Sequence, residues 1–590
     1  MTSPTDSTQT LPGERLPESA NETMHNKNNR GDYEEPGSSV LWVDWEGPDD
    51  LQNPKNWAFR KKWMATTIVS LFTFISPVSS SMVAPATSQV VEEFAVTSSA
   101  LQAMVTSVFV LGYALGPLVR MFCEDMQSFT YPIKILGPMS ELWGRSRVLQ
   151  TSNLFYLAWN TACGFAQNKE QLIAFRFLSG LGGSAPLAIG GGVLGDIWSV
   201  EERGKASAIY SLAPLLGPVI GPVCGGWIAE RSTWRWVFWS TSIVDVMIQA
   251  AGLIFLKESF APYLLEQKAK SIRATMDLEN GPVKEVRSVF ESKGSRHWKD
   301  IFGRALTRPF ALFVHEPIMQ LLGLYMALIY GIFYLFLTTI PAIFARIYHQ
   351  DVGISGLNYI ALGIGLTGAS QINARYMDRI YIWLRENRGN GVDEPEFRLP
   401  SMVPGTIAMP IGLLITGWAA QSHVHWAVTD FGIILVGGGM ILNFQAIQVY
   451  ILDTFTLHAA SALAAASFLR SLAGFGFPLF APAMYEKLGY GQGDTILACV
   501  SIALGCPAPF IFWFYGKKIR SMSKYARKPQ NQQGQAQPKK EAPAAVQPGN
   551  SERPSNETEK VSSDRVASDI VIQHRPSDAE KSSPPPPNNA

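Results

Sequence analysis

Charge is scarce in this chain: only 16% of its 590 residues are Asp, Glu, Lys or Arg, against roughly 25% in an ordinary soluble domain. Neither sign dominates, because 49 Lys and Arg against 48 Asp and Glu leave a formal charge of +1. A nucleic-acid binder held by net basicity is therefore not expected. Cysteine is scarce too. The five cysteines (Cys123, Cys163, Cys224, Cys499, Cys506) form no CxxC pair, so neither a disulfide framework nor a zinc site is indicated. No phosphate-binding loop, nucleophile with its base, or dinucleotide fingerprint occurs, and Gly190, Gly191 and Gly192 sit inside an apolar run as packing residues. Catalysis and a bound cofactor are not expected. Apolar residues, by contrast, make up 47% of the chain. Mean hydropathy is only +0.07, because polar residues crowd into two tails and one central stretch. The apolar ones fall in runs of about 20, the length that crosses a bilayer.

Residues 1–62 are rich in Ser, Thr, Asn and Glu, with no basic start and no apolar run of the ~7–15 residues that a signal peptide needs. Residues 517–590 are rich in Gln, Pro, Lys and Ser. Both tails read as disordered. Between them, twelve spans are expected, at about 63–85, 101–119, 148–166, 172–194, 206–229 and 235–256, then 316–340, 356–374, 401–419, 430–452, 460–482 and 493–515. The fold class is an all-α integral membrane protein. A charged stretch, 257–308, separates an amino half (63–256) from a carboxyl half (309–516), as a solvated tether or a helix lying on anionic lipid. Lys61, Lys62, Arg145, Arg147, Arg203, Lys205 and the run Arg375 to Arg388 mark alternate loops. The positive-inside rule puts both tails and the tether in the cytoplasm.

Three stretches carry mechanism. The loop after span 2 holds Gly137, Glu141, Gly144, Arg145 and Arg147, a close-packing glycine, an acid at a helix end and a basic turn. Span 4 holds Arg176 and Gly180. An arginine inside an apolar run costs at least about 2.5–3.5 kcal/mol, so it needs a polar partner; it is either part of the transport path and its proton coupling or a structural clamp between helices. Span 5 holds Gly217, Pro218, Gly221, Pro222, Gly225 and Gly226. Glycines four apart align on one face and allow close approach, while the prolines remove backbone donors and bend the helix.

In that order, on spans 2–3, 4 and 5, these stretches resemble the three signature motifs of the major facilitator superfamily, the third being typical of its proton-driven drug antiporters. More narrowly, Trp45 to Trp57, Ala460 to Ser471 and Phe475 to Phe480 resemble the fungal twelve-span drug:H⁺ antiporter branch. The similarity covers about residues 42–525. It implies two pseudo-symmetric six-helix bundles with a ligand site between them, alternating access, and a proton gradient as energy source in place of any cofactor. It also implies that Arg470 stabilises helix packing or an inner gate. One departure stands out: about sixteen extra residues, Arg120 to Ile135, follow span 2 and carry charges that are costly in hydrocarbon. A retained intron and a lengthened cytoplasmic helix end both account for them.

Further polar groups interrupt the apolar runs. Asp245 in span 6 is the leading proton-carrier candidate, since a carboxylate in low dielectric can load and release a proton near neutral pH. Glu316 at the start of span 7 is the second. The plain alternatives are an interhelical hydrogen bond for Asp245 and a headgroup-level anchor for Glu316. Phe109, Tyr113, Tyr325, Tyr330, Phe333, Tyr334, Phe336 and Phe444 are candidates to line a substrate pocket or to pack against neighbours. Trp234, Trp236 and Trp239 fit an interfacial belt. The expected function is export of an amphipathic drug, toxin or secondary metabolite by a monomer in the plasma membrane, with membrane lipid and the small molecule as its partners. A polyamine or other polar-nutrient transporter and a transporter-like receptor are the alternatives.

Overall fold

A computed structural model of the chain describes residues 40–116, 140, 143–199, 202–278, 285–290, 309–389, 392–456, 459–523 and 525–526. The stretch 120–135, Gly137, Glu141 and most of both tails lie outside these residues.

Long apolar helices dominate. The amino half comprises α1 (Phe59–Met82), α2 (Thr87–Glu93), α3 (Ser99–Leu115), α4 (Arg145–Cys163), α5 (Lys169–Ile197), α6 (Arg203–Arg231) and α7 (Arg235–Phe255). After α8 (Ala261–Leu278), the carboxyl half comprises α9 (Pro317–Arg346), α10 (Val352–Leu357), α11 (Tyr359–Asn387), α12 (Val403–Gln421), α13 (Trp426–Thr454), α14 (Ala459–Gly505) and α15 (Pro507–Met522). Among the described residues nine helical stretches are long and apolar enough to cross a membrane, one of them being Ser461–Met522. That stretch contains two passes. At Gly489 the backbone turns to φ 76°, and the Tyr485 hydroxyl donates to Asp494 Oδ1 at 2.6 Å, although nine residues of straight helix would separate them by about 13 Å. The apolar but shorter α3 and the more polar α4 complete the expected twelve.

Order extends beyond the sequence-based bounds at three places. Residues 40–62 were expected to be disordered, yet Val40–Val43 form a strand, β1, paired in parallel with β2 (Glu285–Ser288). Val43 and Val286 bury themselves against Ala269 of α8, and Lys268 of α8 reaches Glu46 at 3.1 Å. The stretch expected to be a tether therefore carries a helix and a strand that hold the chain just before α1. At the other end, α15 continues to Met522, because the buried Arg520 pairs with Glu396 at 2.7 Å.

Each half buries its own apolar core, α9 supplying much of the carboxyl one. The halves meet where α3 lies along α14 and where α6 lies along α10 and α11.

Candidate functional site

One end of the helix bundle carries most of the basic residues, and there the motif after span 2 closes a lock. Gly144 has φ 94°, a left-handed conformation that favours glycine, and a Cβ there would strike the Glu258 carboxylate. Glu258, just past α7, accepts from the backbone N–H groups of Arg145 at 2.8 Å and Ser146 at 3.1 Å. An anion thus sits on the N-terminus of α4, where the helix dipole favours it. The Arg145 side chain turns to Asp196 at the end of α5, at 3.0 Å, and Arg147 lies over the Tyr263 ring at 5.7 Å.

The glycine motif of span 5 forms a seam with α1. A Cβ at Gly217 would lie 2.6 Å from Pro77, one at Gly221 2.5 Å from Ser81 Oγ, and one at Gly225 would overlap the Met82 carbonyl. Pro214, Pro218 and Pro222 stand within the same helix. Toward its end, Gly226 abuts Val352 and Glu230 accepts from Gly353 N–H at 2.6 Å, so α6 also joins the halves at the end opposite the basic one. Gly180 of α5 makes a comparable crossing with α3, where a Cβ would strike the Phe109 carbonyl.

Arg176 is fully buried, and all its partners are carbonyls. It donates to Ser79 O at 2.9 Å, Ser80 O at 3.0 Å, Val105 O and Thr106 O, both at 3.1 Å, with the Phe109 and Phe238 rings 5.0 and 5.6 Å away. One guanidinium thereby ties α1, α3 and α5 together.

Asp245 is equally buried, in a polar seam between α4 and α7. Asn153 Nδ2 donates to Asp245 Oδ1 at 3.0 Å and to Gln249 Oε1 at 2.9 Å. Two turns along the same face of α4, Asn160 bonds Thr241 and Ser242 of α7 and accepts from Ser79 of α1 at 2.7 Å. Asp245 Oδ2 and the Tyr156 hydroxyl have no hydrogen-bond partner among the described residues. Glu316 is buried where α9 begins, with extended backbone at the N-cap.

Between the halves, Gly474 of α14 fits so closely that a Cβ would lie 3.1–3.2 Å from Tyr334, Tyr330 and Val110. Nearby, Tyr113 and Ser76 share a hydrogen bond of 2.5 Å. Arg470, one turn from Gly474, stands over the Tyr330 and Phe444 rings at 5.0 and 5.1 Å. Beyond this constriction, toward the less basic end, a cavity of about 390 Å³ opens between Gln102, Thr106, Thr338, Ala342 and Tyr485.

Residues 133–478 match the family model described as Major Facilitator Superfamily. The chain is 45% identical to the efflux pump vrtL of Penicillium aethiopicum over 82% of its own length and 91% of that protein. It belongs to the major facilitator superfamily. The MFS-type transporter penM of Penicillium rubens is 40% identical over 84% of this chain and 92% of that protein. A partially occluded, inward-open xylose transporter XylE from E. coli shares the fold, with a TM-score of 0.55 at 15% identity over 77% of this chain and 98% of that one. The protein is a membrane-spanning transporter with the major facilitator fold.

The pseudo-symmetry of that fold shows at the basic end. Arg398, ahead of α12, reaches Asp453 at the end of α13 at 3.3 Å and Asp378 at 2.6 Å, as Arg145, at the start of α4, reaches Asp196 at the end of α5. Arg398, Glu396 and Asp378 were not singled out in the sequence, although Arg398 and Asp453 occupy the positions that Arg145 and Asp196 hold one half earlier. Asp494 was missed as well, because nothing marks it before Tyr485 is seen folding back onto it. Trp234 departs from the interfacial belt: it is buried and donates to Glu93 at 2.7 Å. Tyr325 and Phe336 are buried in the carboxyl core, whereas Tyr330 and Phe444 flank Arg470.

Proposed function

We propose that this transporter is a proton-coupled exporter of amphipathic small molecules, acting as a monomer in the plasma membrane with both tails in the cytoplasm. Relatives named efflux pumps, including radE of Floropilus chiversii at 38% identity, support export. The observation that carries the coupling is Asp245. It is a buried carboxylate with one oxygen held by Asn153 and the other without a partner among the described residues, so a proton has a place to sit without breaking an existing bond. Protonation removes a buried charge and turns the Asn153 contact from a charge-assisted hydrogen bond into a neutral one. Arg176, which ties α1, α3 and α5, transmits that change as a positioning residue. Glu316 is the second carboxylate of the path, at the basic end of α9.

The basic-end locks and the α1–α6 seam brace each half from within as the halves rock. Gly137, Glu141, Gly144, Arg145 and Arg147 act in the first, and Gly217, Pro218, Gly221, Pro222, Gly225 and Gly226 in the second. Gly180 keeps α3 and α5 moving as one body. A proton falling through 100 mV gains about 2.3 kcal/mol, enough to bias such a cycle. A polyamine is disfavoured, since it would bring several positive charges past Arg470, which has no ion-pair partner among the described residues.

Inside-out vesicles test the proposal. With an acid-inside gradient, vesicles holding the protein should accumulate at least one of rhodamine 6G, cycloheximide or 2-naphthoate above protein-free vesicles, and nigericin should abolish the difference. Accumulation that ignores the gradient, or none for the whole panel, contradicts proton-coupled export.

A further inference from the structure

Three other arginines drawn into the helix bundle have their charge answered. Arg176 has four carbonyls, Arg520 has Glu396, and Arg398 has Asp378 and Asp453. Arg470 is different. Its guanidinium makes no hydrogen bond or ion pair among the described residues, and its Nε is buried without an acceptor. Of the amides on α13, Gln445 is engaged with Asn373 and Ser370 of α11, and Asn443 donates to Gly439 O. Yet the side chain is held in place, flanked by Tyr330 of α9 and Phe444 of α13 at 5.0 and 5.1 Å.

Its direction follows from its neighbour one turn on. Gly474 faces Val110 of the amino half, and residues four apart share a helix face, so Arg470 faces the space between the halves. It is only partly buried. A guanidinium without an ion pair favours an anion that answers its fork of N–H donors, and a planar carboxylate matches that fork in two bonds. The flanking rings supply flat apolar walls suited to an aromatic body. We infer that the path between the halves binds aromatic carboxylates, the acid group on Arg470 and the ring system beside the Tyr330 and Phe444 rings that hold it. This deepens the exporter reading by naming a cargo class, and it rests on that reading only for the direction of movement.

The test is equilibrium binding to the full-length protein in nanodiscs, using benzoate, 2-naphthoate and anthracene-2-carboxylate, each beside its neutral amide. At least one acid should bind about tenfold or more tightly than its amide, the scale of charge-assisted hydrogen bonding. Arg470→Gln should erase that preference. Arg470→Lys should keep the preference but weaken it, because an ammonium lacks the planar fork. Phe444→Leu should weaken acid and amide alike, by roughly threefold. Absence of any acid-over-amide preference in the unaltered protein overturns the site, as does a preference that survives Arg470→Gln. Should Arg470→Gln fail to fold, unchanged affinity in both Arg470→Lys and Phe444→Leu overturns it equally. Because binding is read without transport, a chain that binds the acids but exports nothing refutes the exporter reading and leaves the site standing.

Discussion

Arg176 and Asp245 are both fully buried in the amino half, but only one of them is saturated with partners. Arg176→Ala strips four carbonyls of their donor, and hydrogen bonds to a charged group contribute about 1.5–3 kcal/mol each. It should lower the melting temperature and abolish efflux together. Asp245→Asn is nearly isosteric and should leave the protein folded in the membrane, with the apparent melting temperature unchanged or raised, while removing gradient-driven efflux. Efflux by Asp245→Asn at the unaltered rate would remove it as the proton carrier. Both residues were legible in the sequence, because a charge inside an apolar run is conspicuous. Their partners were not. Asn153, which holds Asp245, shares one face of α4 with Tyr156 and Asn160, but a polar residue every three or four positions looks the same whether it meets another helix or water. Arg176's partners are backbone carbonyls, which no sequence displays.

Helices were the most legible level, since runs of about 20 apolar residues have few other uses. The reading failed where an element owes its order to a distant partner: β1 needs β2, and α15 reaches Met522 because Glu396 answers Arg520. The glycine seam between α1 and α6 gives a clean contrast. At Gly221 a side chain has no room, so Gly221→Leu should force the helices apart at a cost of about 1–3 kcal/mol and uncouple transport. A Cβ at Gly191 of α5 meets nothing within 4 Å, so Gly191→Ala should leave transport intact and stabilise the helix by up to about 1 kcal/mol. Equal tolerance of both, measured by thermal unfolding and vesicle uptake, would mean the seam does not matter. The short α2 offers a pH test. Arg235 and Trp234 beside Glu93 hold its carboxyl below the usual carboxylate range. The stabilisation they give is present above the ordinary carboxyl pKa and is lost as pH falls through the lowered value. Glu93→Gln should therefore flatten the acid limb of the stability profile, while costing no more than about 1 kcal/mol at neutral pH for so exposed a pair.

At the scale of the whole molecule, the two halves repeat one another's locks, Arg145 with Asp196 and Arg398 with Asp453, and meet along α3–α14 and α6–α11. Two related bodies, a buried carboxylate in one and, between them, an arginine with no ion pair among the described residues are the parts that the proposed coupled cycle requires. The most direct measurement is lumenal pH in proteoliposomes of the purified protein, followed with an entrapped dye while a transported compound is driven across by its own gradient. Proton movement opposite to the compound, in proportion to it and absent in Asp245→Asn, is the predicted result. Movement of the compound with no change in lumenal pH, or an unchanged proton signal in Asp245→Asn, would contradict it.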